Sequence, residues 1–277
     1  MSTLNFLHYF HPNPILFSFG PFTIFWYGFF MVSAMMLGIM LTLRLAKLYK
    51  IKEETIIDLS FWLIINAIIG ARFYHIILQF SYYKSHLLEI PMIWKGGIAI
   101  HGAILFGFLT IVYFAKKNQL SFSKISALIV PSLALGQSIG RWGNYFNQEL
   151  FGGPTNLPWG IPINSLYRPP QFANDTYFHP AFLYESIGNF IIFLILIFLN
   201  YLILKYKKIK LESLTFIYLF LYSLLRFCTE FIRIDQSPTF FGLRAPQWVS
   251  IFIILFSIYY FIRNNSKNRL EKKEALC

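Results

Sequence analysis

Charge is scarce in this chain. Asp, Glu, Lys and Arg together make up 13% of its 277 residues, against 56% apolar residues, and the mean hydropathy is +0.55. Repeated apolar runs of about 20 residues mark an integral membrane protein rather than one or two soluble domains. Cysteine is scarcer still. Cys228 lies inside an apolar run and Cys277 is the last residue, and two thiols do not define a disulfide framework. There is no cluster of metal-ligating residues, and no zinc-finger, RNP or other nucleic-acid signature. The formal charge of +12 therefore does not imply nucleic-acid binding. Most of the basic residues flank apolar runs, which is how a polytopic protein meets anionic lipid. No basic n-region precedes the first apolar stretch, which is too long for a signal-peptide core and is expected to stay on as a membrane helix. Internal repeats and low-complexity linkers are absent, so residues 1–277 read as one membrane domain.

Seven spans are expected. Residues 1–16, with Pro12 and Pro14, form a polar-aromatic interfacial lead-in. The spans follow at roughly Phe17–Leu43, Ile56–Phe80, Gly97–Ala115, Ile125–Ile139, Ala181–Leu204, Leu211–Ile232 and Pro246–Ile262. The fourth is short and interrupted by Pro131. Residues 147–180 hold Pro154, Pro158, Pro162, Pro169, Pro170 and Pro180 with Gly152, Gly153 and Gly160, too many breakers for a long helix. They read as an extramembrane loop or small subdomain. Of the 24 Lys and Arg, 16 follow spans one, three, five and seven (Lys205, Lys207, Lys208 and Lys210 after the fifth, for example). The positive-inside rule then puts those exits in the cytoplasm, the N-terminus outside, the C-terminus inside, and loop 147–180 outside.

With that orientation, Tyr27, Arg72, His101, Arg141, Glu185, Arg226, Glu230 and Arg233 all fall toward the outer ends of their spans. An unpaired intramembrane charge costs roughly 2.5–3.5 kcal/mol on insertion scales, so these residues are expected to share one cavity near the outer leaflet. The densest stretch is Gly140-Arg141-Trp142-Gly143-Asn144-Tyr145-Phe146-Asn147-Gln148-Glu149-Leu150-Phe151-Gly152. Arg141 offers a planar fork suited to phosphate, or else snorkels to headgroups. Asn144, three residues on, shares its face if the helix continues, and Gly140 and Gly143 permit close backbone approach. Arg226, Glu230 and Arg233, at i, i+4 and i+7, share one helix face. They form either a cationic stripe facing an anion or a structural ion pair. One carboxylate between two arginines leaves surplus positive charge. His101 is a candidate general base or a packing histidine, and His75 reads as structural. Tyr27 orients a phosphate or glycerol oxygen, or belongs to the aromatic belt. Glu185 pairs an arginine, takes part in proton transfer, or simply suits a helix start.

The run Gly140 to Gly152 resembles the signature of the prolipoprotein diacylglyceryl transferase family, G-R-x-G-N-F-x-N-x-E-x-x-G, with Tyr145 where the pattern has Phe. Trp26-Tyr27-Gly28, Gly70-Ala71-Arg72, His101-Gly102, His179-Pro180 with Tyr184-Glu185, and Arg226 with Glu230 and Arg233 stand in the family's order. Ala103 and Ala127 depart from it, and no role is carried to either. The resemblance implies an all-α enzyme of the bacterial plasma membrane. It would move the diacylglyceryl group of phosphatidylglycerol to the lipobox cysteine thiol of a prolipoprotein signal peptide. A thioether would form and glycerol-1-phosphate would leave. On this reading Arg141 and Arg226 hold the phosphate, Asn144 and Tyr27 orient it, and His101 accepts the thiol proton. Glu149, Glu185 and Glu230 steady the cations and Arg233 backs them. Arg72, Asn147 and Gly152 count with the substrate-binding set. No metal or organic cofactor is implied. A transporter or flippase for an anionic lipid or solute is the competing reading, and would place its polar residues at the midplane, often with repeats. A plain membrane scaffold would leave the Gly140–Gly152 run unexplained.

Overall fold

The computed structural model describes residues 3–206 and 210–274, with side chains over residues 6–206 and 210–264. Lys207, Lys208 and Cys277 lie outside the described residues, as do the side chains of Lys267, Arg269, Lys272 and Lys273. The helices are α1 (Thr3–Tyr9), α2 (Trp26–Leu48), α3 (Glu53–Leu78), α4 (Phe80–Tyr83), α5 (Ile100–Lys117), α6 (Phe122–Phe146), α7 (Ala181–Tyr206), α8 (Ser213–Glu230) and α9 (Ala245–Glu274). Among the described residues, three two-stranded antiparallel sheets accompany them: β1 (Ile15–Phe19) with β2 (Phe22–Phe25), β3 (Ile161–Pro162) with β4 (Tyr177–Phe178), and β5 (Thr239–Phe240) with β6 (Leu243–Arg244). The protein is a mostly helical, multi-pass membrane protein.

Six helices among the described residues are long and apolar enough to cross a bilayer: α2, α3, α5, α6, α7 and α9 from Ala245 to Asn264. The sixth expected span, α8, falls outside that set; it carries Arg226 and Glu230 in its last turns. The long helices leave large apolar side chains exposed, among them Met36, Phe61, Phe198, Phe252 and Phe256. Such surfaces suit lipid as solvent.

Two expectations are corrected. The first span does not begin at Phe17, because Ile15–Phe25 forms the β1–β2 hairpin around Gly20 at φ +56°. Aromatic and β-branched residues here favour extended backbone, and Gly20-Pro21 turns it back. The fourth span is not short. Pro131 lies inside one continuous 25-residue helix, α6. Proline removes one backbone bond there, which membrane helices tolerate where neighbours re-satisfy the freed carbonyl.

The chain divides into two compact units, Met1–Gly38 with Val130–Cys277, and Ile39–Ile129. In the second unit α3 packs on α5, and the two backbones meet at glycines. A Cβ on Gly70 would lie 2.6 Å from the Gly102 carbonyl oxygen, and a Cβ on Gly102 would lie 2.6 Å from Tyr74 Cβ. In the first unit, loop 147–180 is built around a small apolar core of Tyr145, Phe151, Ile161, Ile163, Phe178 and Phe182. Helix α1 packs against it: His8 Nδ1 bonds the Gly160 carbonyl at 2.8 Å, and its ring stacks on Tyr177 at 4.0 Å. Helices α7 and α8 approach closely because Gly188 faces Leu225, where a Cβ would lie 2.5 Å from Leu225 Cδ1. That contact is one turn from Glu185 and adjoins Arg226.

Candidate active site

The C-terminus of α6 presents the signature. After Phe146, Gln148 adopts φ +52°, the Gln148 N–H donates to Tyr145 O at 3.0 Å, and the Glu149 N–H donates to Asn144 O at 3.1 Å. This is a Schellman closure with a non-glycine residue in the left-handed position, at a steric cost of about 1–2 kcal/mol. The closure folds Glu149 back over the last helical turn. Asn144 Nδ2 donates to Glu149 Oε1 at 2.8 Å and Asn147 Nδ2 to the same oxygen at 3.4 Å. Because the helix continues to Phe146, Asn144 does share the face of Arg141, whose Nη1 donates to Asn144 Oδ1 at 3.4 Å. Gln148 instead ties the lead-in to the loop, donating to Pro12 O at 2.9 Å and accepting from the Asn164 N–H at 2.7 Å. Tyr27 opens α2 and lies over Gly143, where a Cβ would sit 2.8 Å from Tyr27 Cδ2.

Glu185, one turn into α7 and buried to 3%, is the centre of the charge network. Arg226 Nη1 and Arg233 Nη1 each donate to its Oε1 at 3.0 Å, and Arg141 Nε pairs with its Oε2. Reciprocal serines hold α6 against α7 beside this contact: Ser138 Oγ donates to Ser186 O at 2.9 Å and Ser186 Oγ to Ser138 O at 2.8 Å. Arg226 Nη2 also pairs with Glu230 at 2.7 Å, the i, i+4 contact expected from spacing. Arg233 is not on the helix, which ends at Glu230. It reaches Glu185 from an extended segment that bridges Gly152.

A fourth arginine joins, one that the sequence did not single out. Arg244, on β6, pairs with Glu230 at 3.2 Å and Asp235 at 3.4 Å. It also donates to Arg233 O at 2.7 Å, Glu230 O at 3.3 Å and Asp235 O, covering carbonyls at the end of α8. Arg233 Nε donates to Asp235 at 2.7 Å. Burial disfavours the Asp235 charge, but the Arg233 hydrogen bond and the fields of Arg233, Arg244 and Arg226 outweigh it and hold the carboxyl below its ordinary range. Burial likewise opposes the Arg233 charge, and Asp235 and Glu185 raise its pKa nonetheless. Four guanidiniums against Glu185, Glu230 and Asp235 leave one positive charge in excess, and Glu149, joined through Asn144, balances it. With Glu149 counted, the surplus of positive charge expected from spacing is therefore cancelled. Accessibility separates the cations better. Arg141 and Arg226 are the most exposed side chains of the four, at 22% and 18%, while Arg233 is at 5%.

Gly152 serves the backbone. Its N–H donates to His179 O at 2.9 Å, and the Gly153 N–H donates to Ile232 O at 3.0 Å. A Cβ at position 152 would lie 2.5 Å from Ile232 Cγ2 and 2.7 Å from His179 Cβ. Gly152→Ala is expected to displace the segment carrying Arg233, at about 1–3 kcal/mol of stability. The transfer rate should fall by about 100-fold, the scale of an ångström-size misplacement. Thermal unfolding in detergent together with a transfer assay tests this, and a variant matching the parent in both would refute it.

The second unit carries Arg72 and His101. Arg72 donates to four backbone carbonyls, Glu89 at 2.5 Å, Ile90 at 2.8 Å, Gly96 at 2.6 Å and Gly97 at 2.9 Å, and its guanidinium lies 5.1 Å from the Tyr83 ring centre. The expected substrate cation is therefore committed to the loop between α4 and α5. His75 is at the same place, its Nε2 2.7 Å from where a Gly97 Cβ would be, in keeping with a structural part. His101 is exposed near the start of α5, tilted toward Tyr74 with ring centres 5.9 Å apart.

A multi-pass helical protein that gathers four arginines and their carboxylates among its helix ends falls in the class of membrane proteins that handle a charged substrate. Comparison with known sequences narrows the class. Residues 14–263 match the model of the family described as prolipoprotein diacylglyceryl transferase. The phosphatidylglycerol–prolipoprotein diacylglyceryl transferase of Trichormus variabilis is 46% identical over 241 residues, 87% of this chain and 85% of the relative. That of Synechococcus elongatus is 45% identical over 257 residues, 92% and 89% of the two chains. That of Synechocystis sp. is 41% identical over 268 residues, 95% and 94%. The chain belongs to the prolipoprotein diacylglyceryl transferase family, and it is a transferase.

Proposed function

We propose that the protein transfers the diacylglyceryl group of phosphatidylglycerol to the lipobox cysteine of prolipoprotein signal peptides. The sulfur attacks the glyceryl carbon that bears the phosphate ester oxygen. A C–S bond forms, the C–O bond breaks, and glycerol-1-phosphate leaves with the electron pair. The observation that carries this reading is the Arg141–Asn144–Glu149 array beside the Glu185 cluster in a chain of this family. Arg141 and Arg226, the accessible cations, hold the phosphate and stabilise the charge that grows on the leaving group. Asn144, Asn147 and Tyr27 orient it. Glu185, Glu230, Glu149 and Arg233 keep the two guanidiniums in place, and Gly152 keeps Arg233 in place. His101 takes the thiol proton, on the chemistry of imidazole alone, since the thiolate is the nucleophile.

The topology proposed with it has seven spans, α8 being the sixth, in the bacterial plasma membrane. The N-terminus and loop 147–180 are outside, the C-terminus is in the cytoplasm, and the arginine cluster faces the outer leaflet. The distribution of Lys and Arg supports this. The test is transfer of label from radiolabelled phosphatidylglycerol to a lipobox peptide by the purified protein, with a Cys→Ser peptide as control. Label on the cysteine peptide alone is expected. No transfer by folded protein, in lipid that supports a known enzyme of the family, overturns the reading.

A further inference from the structure

The hairpin of β5 and β6 turns on Phe241 and Gly242, at φ +49° and +77°. Two consecutive positive φ values belong to the tight hairpin turn that glycine, asparagine and aspartate favour. A bulky aromatic is strained there. Phe241 is also 95% exposed, and Phe240 58%. Within the chain the Phe241 ring meets only the edge of Trp248, with ring centres 6.4 Å apart among the described residues, and the rest of its surface is open to a contact outside the chain. The base of the hairpin is held firmly. Trp248 Nε1 donates to Phe240 O at 2.9 Å, the Ala245 N–H to Pro238 O at 2.8 Å, and the Arg244 N–H to Gln247 Oε1 at 2.9 Å.

No residue separates β6 from α9, whose first 20 residues are long and apolar enough to cross a bilayer. The tip is therefore carried close to where α9 enters lipid. The β1–β2 hairpin repeats the pattern: Phe19 and Phe22 flank its turn at 74% exposure each, and β2 runs directly into α2. One bilayer accounts for both apolar tips, whereas a protein partner would have to be invoked twice. Two-stranded ribbons keep unpaired edge groups, which places them at the interface rather than in the hydrocarbon core.

We propose that the tip Phe240-Phe241 inserts into the headgroup–acyl boundary of the phospholipid leaflet that α9 enters. The insertion holds the segment with Arg233, Asp235 and Arg244 in register with a lipid substrate. The second half rests on the phosphatidylglycerol reading above; the first half does not. The experiment uses the full chain with Cys228→Ser and Cys277→Ser, in vesicles of phosphatidylglycerol and phosphatidylethanolamine. It carries a spin label at Phe241→Cys or, for comparison, at Asn156→Cys in the loop. Collision with oxygen should exceed collision with a water-soluble nickel chelate at 241, and the reverse should hold at 156. Equal access of the chelate to both sites overturns insertion, and so does shielding of 241 from both reagents, which would mark a protein partner. In addition, Phe241→Gly, which suits the turn, should raise the KM for vesicle phosphatidylglycerol on the order of tenfold with kcat unchanged, the scale of one buried aromatic's contribution. An unchanged KM overturns the second half. If the parent protein itself transfers nothing, the functional reading fails while the spin-label result stands.

Discussion

Replacement of Glu185 by alanine is expected to be among the most damaging single changes in the protein. Its carboxylate is buried to 3% and meets Arg141, Arg226 and Arg233. Without it, three guanidiniums from three segments face one another with buried Glu230 and half-buried Asp235 as the remaining carboxylates in contact with the network. Removing one partner of a buried ion pair costs about 3–5 kcal/mol, because the charge left behind is uncompensated. Glu185→Ala should therefore melt well below the parent in detergent, purify in low yield and show no transfer. Glu185→Gln keeps two hydrogen-bonding positions and should fall between. Glu89→Ala provides the contrast. The Glu89–Lys95 pair is solvent-exposed, where ion pairs contribute little, and its loss should leave the melting curve unchanged. Parent-like melting and transfer in Glu185→Ala would mean that the cluster does not depend on this carboxylate.

Arg141→Ala should separate chemistry from folding. Arg141 is the most exposed of the four arginines, and its loss leaves Glu185 paired with both Arg226 and Arg233. The fold should survive. Transfer should drop by about 10²–10³-fold, the usual cost of one donor aimed at developing charge. Arg141→Lys keeps the charge but not the planar fork, and should recover only part of the rate. Melting curves and initial rates on the same preparations decide the matter. A folded Arg141→Ala protein with undiminished transfer would remove Arg141 from the phosphate-binding role.

Much of the candidate site can be read from residue order, because its members are rare in kind. A cation, two asparagines and a glutamate at the end of an apolar run stand out, and the i, i+4 spacing of Arg226 and Glu230 predicts a contact that forms. Arg244 is harder to find, because it stands alone beyond a turn and only its folded partners distinguish it. The sole hint is an arginine placed immediately before an apolar helix in a chain with few charges. Periodicity puts Arg233 on the α8 face, yet the helix stops three residues earlier and an extended bridge to Gly152 delivers the side chain instead. Arg72 reads as a substrate cation because a lone arginine in an apolar run invites an anion. Its partners are carbonyl oxygens, which no sequence pattern reports.

The amino-acid sequence alone determined that the chain lives in a membrane and where its long helices run. Apolar length and helical period are local properties, legible within about 20 consecutive residues. It also determined that Gly140–Gly152 is exceptional, since polar residues are expensive at the end of an apolar run. Only the tertiary structure decided that Glu185 is the shared centre of three arginines, that Arg244 belongs with them, and that Gly152 is small so that two backbone segments can pass closely. These are contacts between residues that lie beyond one helical turn of each other in the chain, most of them on different elements. Their energies depend on which side chains become buried together, a quantity that exists only once the helices have packed.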